Sequence, residues 1–194
     1  MKLKDIAKIK TGVVTARKKA KLTDADTSEY SAITLKSFAP NGKLQHENLD
    51  TFVSKGAINS KYFSKENDVI VRLREPVIAL HLKKSDENLL IPSLIAVIKV
   101  ERSKISSRFL AYYLNSKIAQ RALSVSITGT TINMIQTKVL GELTLHLPSL
   151  ERQNKIADYL DLANREIDLL EALKQEKEKQ SAELFNILLE NKGK

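Results

Sequence analysis

SLERQNKIADYLDLANREIDLLEALKQEKEKQSAELFNILLE, residues 149–190, contains neither glycine nor proline and is dominated by helix-favouring residues. Ser149 stands directly after Pro148, where a helix N-cap belongs. Ile156, Leu160, Ala163, Ile167 and Leu170 follow the alternating four-and-three spacing of a coiled-coil seam. The register runs on through polar Lys174, Lys177 and Ser181 and returns to apolar residues at Leu184 and Leu188. Leu162, Leu169 and Leu173 add a second apolar line. The spacing predicts one helix about 60 Å long, at ~1.5 Å per residue. Such a helix cannot bury two stripes on itself, so it predicts a partner helix rather than a tail folded back onto its own domain.

The 148 residues before it have a different texture. Leu3, Ile6 and Ile9 suggest a short helix entering a strand that ends near Gly12. Residues 15–29 are polar and read as a loop. Tyr30 to Leu35 reads as a strand, and Pro40-Asn41-Gly42 as a turn. Between Asp68 and Arg74, Val69, Val71 and Leu73 alternate with Ile70, Arg72 and Arg74, which predicts a half-buried strand carrying two arginines outward. An apolar stretch from Leu89 to Val100 bends or meets an edge at Pro92. Ser106 or Ser107 can cap a helix running to about Ala122, with Leu110, Leu114 and Ile118 on one line. A short helical piece follows from Ile132 to Leu140, and Leu143, Leu145 and Leu147 alternate as a last strand. The expected architecture is α+β: a globular domain over residues 1–148, then a long helix within 149–194.

Charge divides at the same boundary. Residues 1–148 hold 24 Lys and Arg against 13 Asp and Glu, a net of +11; residues 149–194 hold 8 against 10, a net of −2. A basic excess of that size attracts a polyanion by Coulomb forces and counterion release, although it also describes a generic basic surface. The chain has no cysteine, which excludes disulfides, thiolate zinc sites and cysteine nucleophiles. No run is long enough to span a bilayer, and Asp5 falls where a signal peptide would be apolar, so a cytoplasmic protein without membrane contact is expected. His46, His81 and His146 are far apart in sequence, with no ligand pair beside any of them. There is no glycine-rich phosphate loop. Asp68 and Glu75 flank a strand as nuclease carboxylates do, but Pro76 follows and no lysine stands two residues beyond Glu75. No catalytic site, metal site or cofactor of its own is expected.

DNA reading needs donors at base edges, with arginine to guanine the commonest pairing, and phosphate contacts that fix register. Arg17, Lys18, Lys19 and Lys21 form a basic loop, which reads equally as a solvated charge run. Arg72 and Arg74 offer a strand platform, or pair with Glu75 or Asp68. Thr128, Thr130 and Thr131 around Gly129 offer hydroxyls and amides for a phosphate, or form a tight connection. Lys61 lies beside Tyr62 and Phe63, of which Phe63 suits a core. Aromatic residues make up 5% of the chain and tryptophan is absent, which disfavours single-strand stacking.

From Gly129 through Ile132 and Leu140 to Leu143, Leu145, Leu147, Pro148, Leu150, Gln153, Ile156 and Leu160, the chain resembles type I restriction–modification specificity subunits. Leu3, Ile6, Ala7, Ile9 and Thr11-Gly12 are similar to that family's domain start. The family often has Glu directly before the glutamine; Arg152 stands there, with Glu151 one place earlier. Its usual member has two recognition domains and two long helices, so this chain looks like half a subunit. The resemblance implies recognition of double-stranded DNA and a helix that is both spacer and docking surface for modification subunits. S-adenosylmethionine would be held by those partners, and cleavage would belong to a restriction subunit. It also implies pairing as a homodimer, or with a second half-subunit, through antiparallel helices. A free-standing dimeric DNA-binding regulator is the rival expectation, followed by an assembly protein whose basic domain is incidental, and last by a nuclease.

Overall fold

The computed structural model describes residues 1–21, 23–125 and 134–190. Alternation sets up the first strand: in β1 (Ala7–Thr11), Lys8 and Lys10 are exposed while Ala7 and Ile9 are half-buried. It follows a 3₁₀ turn at Leu3–Asp5, as expected. β1 pairs antiparallel with β6 (Ile95–Val100), β6 with β4 (Val69–Arg72), and β4 with β5 (Ala79–His81), giving a sheet of order β1-β6-β4-β5. Beside it, β2 (Thr27–Ala32) and β3 (Asp50–Lys55) form a separate antiparallel ribbon.

One face of the four-stranded sheet meets helices: α1 (Ser107–Asn115) packs against β4 and β5, and α3 (Thr137–Glu142) against β1. Ile70, Leu80 and Ile95 join a core with Ile33, Phe38, Leu82 and Ile91. β4 is therefore covered on both faces; Val69, Ile70 and Val71 are each 0% exposed. The half-buried strand expected here is corrected on that point. A second cluster of Val13, Ala32, Ile58 and Leu90, joined by Tyr30, Phe52, Tyr62 and Phe63, underlies the ribbon. Full burial of a Leu, Ile or Phe side chain contributes ~1.5–3 kcal/mol, so these clusters, with the residues buried under the helices such as Ile98, Leu110 and Leu114, supply most of the cohesion.

Close backbone packing fixes the exit from β1. The Val13 N–H donates to the Ile91 carbonyl at 2.8 Å, and the Ser93 N–H to the Val13 carbonyl at 2.8 Å. A Cβ on Gly12 would lie 2.0 Å from the Ile91 oxygen, so only glycine fits where these segments cross. The Pro40-Asn41-Gly42 turn forms as expected, with Gly42 at φ +76°.

Other elements differ in extent. The ribbon strand begins at Thr27 and ends at Ala32, because Thr34 caps a 3₁₀ turn at Leu35–Ser37, its hydroxyl accepting from the Lys36 N–H at 3.1 Å. The helix expected to reach Ala122 is two helices. Asn115 turns its amide to β5, accepting from the Ala79 N–H and donating to the Ala79 carbonyl, both at 2.8 Å. Ser116 then caps α2 (Lys117–Ser124), and Ile118 rotates out to 71% exposure. The segment at 143–147 is not a ladder strand. It is extended, with Leu143 and Leu145 buried, and two backbone bonds tie it to the first residues: Leu3 N–H to the Leu143 carbonyl and Leu145 N–H to the Met1 carbonyl.

The long helix is α4 (Leu150–Glu190). Chain contacts divide into two compact units, Met1–Asn154 and Lys155–Lys194, so the first turn of α4 belongs with the globular unit. Gln153, 1% exposed, secures that turn: its amide donates to the carbonyls of Lys104 and Pro148 at 3.2 and 3.0 Å and accepts from the Ser106 N–H at 2.9 Å. In the second unit, Leu162, Ile167, Leu169, Leu170, Leu173, Leu184 and Leu188 are all more than half exposed. No described helix is long and apolar enough to cross a membrane.

Candidate nucleic-acid interface

The basic segment is anchored rather than free. After a 3₁₀ turn at Thr15–Arg17, the Lys18 carbonyl accepts from Lys55 N–H at 2.8 Å and the Ala20 N–H donates to the Val53 carbonyl at 3.0 Å. Residues 18–20 thus lie along β3 as a third rung of the ribbon, leaving Arg17, Lys18, Lys19 and Lys21 exposed. Asp24 closes the loop: its carboxylate accepts from the Lys21 N–H at 2.8 Å and pairs with Lys55 at 3.1 Å. The Lys21 amide above all, and then the Lys55 ammonium, hold that carboxyl below its ordinary range.

Lys61 stands on a 3₁₀ turn (Ser60–Tyr62) capped by Asn59, with its ammonium 5.0 Å from the centre of the Tyr62 ring. Tyr62 and Phe63 pack on the cluster under the ribbon, Phe63 with its ring centre 5.1 Å from Tyr30. The two aromatics are therefore core-facing rather than stacking platforms. Lys61 stands beside this cluster, and the segment Arg17–Lys21 is tied to β3, whose Phe52 packs against it.

The arginine pair does not stand side by side. β4 ends at Arg72, whose guanidinium turns inward to the backbone, donating to the carbonyls of Leu35 at 3.0 Å and Glu75 at 2.8 Å. Asp68 pairs with Lys99 at 3.0 Å instead. Arg74 is exposed and bridges Met134, while Ile135 N–H donates to the Leu73 carbonyl at 2.8 Å. Thr128, Thr130 and Thr131 lie outside the described residues. Among the described residues, no group of three or more His, Asp and Glu is placed to hold a metal. On α4, Ile156, Leu160 and Ala163 are half-buried.

The described residues thus present a basic ribbon, an exposed arginine just after β4 and a helix with an exposed apolar stripe. The family model described as the type I restriction modification DNA specificity domain matches residues 1–179. The chain belongs to that family. The type I restriction enzyme MjaVIII specificity subunit of Methanocaldococcus jannaschii is 29% identical over 133 residues, covering 66% of this chain and 31% of that protein. The HsdS subunit from Thermoanaerobacter tengcongensis superposes with a TM-score of 0.67 at 14% identity, over 95% of this chain and 46% of that one. The S subunit of a type I system from M. genitalium gives 0.53 at 18%, over 92% and 42%. At these identities the solved structures speak to the fold, which is α+β with a long C-terminal helix. This specificity domain spans about a third of the curated relative's length and under half of each solved chain's.

Sequence reasoning missed Gln153 as a structural clamp, although it sits within the stretch that resembles the family. It also missed Lys8 and Lys10, whose alternation with Ala7 and Ile9 marks them as one outward strand face.

Proposed function

We propose that this specificity domain recognises double-stranded DNA as the specificity subunit of a type I restriction–modification complex and performs no chemistry itself. The family match over residues 1–179 carries the reading, because it takes in both the basic globular unit and most of α4. Methyl transfer would take place on a modification subunit that binds S-adenosylmethionine, and cleavage on a restriction subunit, in the cytoplasm. α4 presents its apolar stripe to another helix, and a second copy of this chain supplies one. Arg17, Lys18, Lys19, Lys21 and Lys61 are the candidate phosphate contacts. Arg74 is the candidate base contact, since both terminal nitrogens of Arg72 donate to backbone carbonyls. Thr128, Thr130 and Thr131 remain candidates for a phosphate.

The test is duplex binding across a salt series, with and without the modification subunit. Log affinity should fall linearly with log salt, by ~0.9 per phosphate neutralised. Failure to bind any duplex at low salt in either condition would sink the reading. Tight, site-specific binding by the chain alone, unaffected by the modification subunit, would favour a free-standing regulator.

A further inference from the structure

Five lysines lie on or beside β1, and carboxylates account for three of them. Lys2 and Lys4 share Glu142, and Lys99 pairs with Asp68 at 3.0 Å. Asp68 is 4% exposed and also accepts from the Lys65 N–H at 3.1 Å, so it is fixed. Among the described residues, Lys8 and Lys10 have no carboxylate partner.

The register concentrates the charge. Lys8 stands directly opposite Lys99, and Lys10, opposite Val97, is diagonal to it. All three are exposed on one sheet face. Like charges directly opposite across a ladder are destabilising; Asp68 offsets Lys99, whereas Lys8 and Lys10 have no such anion beside them among the described residues. Lys8 and Lys10 are two residues apart on one strand, which sets their anchors ~7 Å apart. Two cations held rigidly at that separation suit a polymer of repeating charge better than one small anion. Duplex DNA offers a phosphate every ~3.4 Å of axis on each strand. Beyond them this sheet face is covered, with Val97 packed against the core cluster that holds Ile95 and Ile70, so those residues present nothing to a base edge.

We infer that Lys8 and Lys10 grip the phosphate backbone of duplex DNA without reading its sequence. The inference rests on the DNA-recognition reading above. Two other roles compete with it: charged edge residues that prevent strand-to-strand association, and a surface for an acidic protein partner.

The experiment compares the full chain with its Lys8→Gln/Lys10→Gln variant on two duplexes of unrelated sequence over a salt series. The salt slope should shrink by about 2, with equal weakening on both duplexes. Lys8→Arg/Lys10→Arg should restore it. Thermal stability of the glutamine variant should be unchanged or higher, since a repulsion has been removed. If the parent chain binds and the glutamine variant keeps its slope and affinity, the inference is overturned. That holds equally if the variant aggregates or loses only the modification subunit, results that assign the lysines to edge protection or to a protein partner. If the parent chain binds no duplex, the DNA-recognition reading fails first and the inference with it.

Discussion

Arg72 shows how a residue read as a probe of DNA can be a fastening instead. Its two terminal nitrogens hold the carbonyls of Leu35 and Glu75, joining the 3₁₀ turn after β2 to the turn that leaves β4. Arg72→Met keeps most of the apolar stem but leaves both carbonyls without that donor. It should cost about 1–3 kcal/mol in chemical denaturation. Arg74→Ala, at an exposed position, should change stability by no more than ~0.5 kcal/mol while weakening DNA binding. Unchanged stability for Arg72→Met, or lost stability for Arg74→Ala, would reverse the assignment. Glu142 carries a different kind of test. Hydrogen bonds from Lys2 and then Lys4 bring its carboxyl down from the ordinary 4.5 to about 2. A depressed carboxyl stabilises the fold fully above its ordinary value and loses that contribution as pH falls toward the depressed one. The stability gap between the parent chain and Glu142→Gln should therefore be constant above pH 4.5 and close between about 4.5 and 2. A carboxyl titration centred on the ordinary value would refute the shared ion pair.

The elements differ in how much of themselves they declare locally. α4 is legible because everything that makes it a helix is in its own residues: no breaker, an apolar repeat and a serine at its start. Its exposed stripe gives the clearest test at this scale. Ile167→Asp together with Leu170→Asp should leave far-ultraviolet circular dichroism of the globular unit intact and convert an associated species to a monomer in sedimentation. A parent chain already monomeric at micromolar concentration would overturn pairing between copies. β3 was not legible: Val53 is 39% exposed while Ser54 is buried, so the apolar signal points to the wrong face. β5 has only three residues, too few for any period to register. The break between α1 and α2 depends on Asn115 reaching Ala79, a contact 36 residues away that no local window contains. β4 was read with the right parity, since Ile70 and Arg72 share a face. Its burial was underestimated because cover on both sides comes from distant segments. The candidate interface divides in the same way. Its sign and rough location follow from charge counts, whereas which cations are already neutralised depends on tertiary partners such as Asp68, Asp24 and Glu142.

At the scale of the whole molecule, the division of charge and the division of structure nearly coincide: +11 precedes Pro148–Ser149, and the first compact unit ends at Asn154. On the proposed reading, a basic unit with one set of DNA contacts would read one short stretch of sequence. Its helix unit, with an exposed apolar stripe and almost no net charge, would then be the means to bring in a second reader. If that second reader is another copy of the chain, the two are related by a two-fold axis, and each uses the same surface toward the other. Duplex DNA has its own local two-fold axes, so the paired domains meet identical half-sites in inverted orientation, as other dimeric readers do. The base pairs between the half-sites are left without base contacts and are free to vary. The complex formed with modification subunits should therefore methylate a gapped inverted repeat. Single-molecule sequencing of DNA methylated by the reconstituted complex, containing this chain as its only specificity component, reads the motif directly. Two unlike halves would show that pairing between identical copies does not set the site. A motif with one continuous half would show that a single recognition domain suffices. Combining this readout with Ile167→Asp/Leu170→Asp ties site to assembly: the variant should lose the bipartite motif altogether rather than shift it to another sequence.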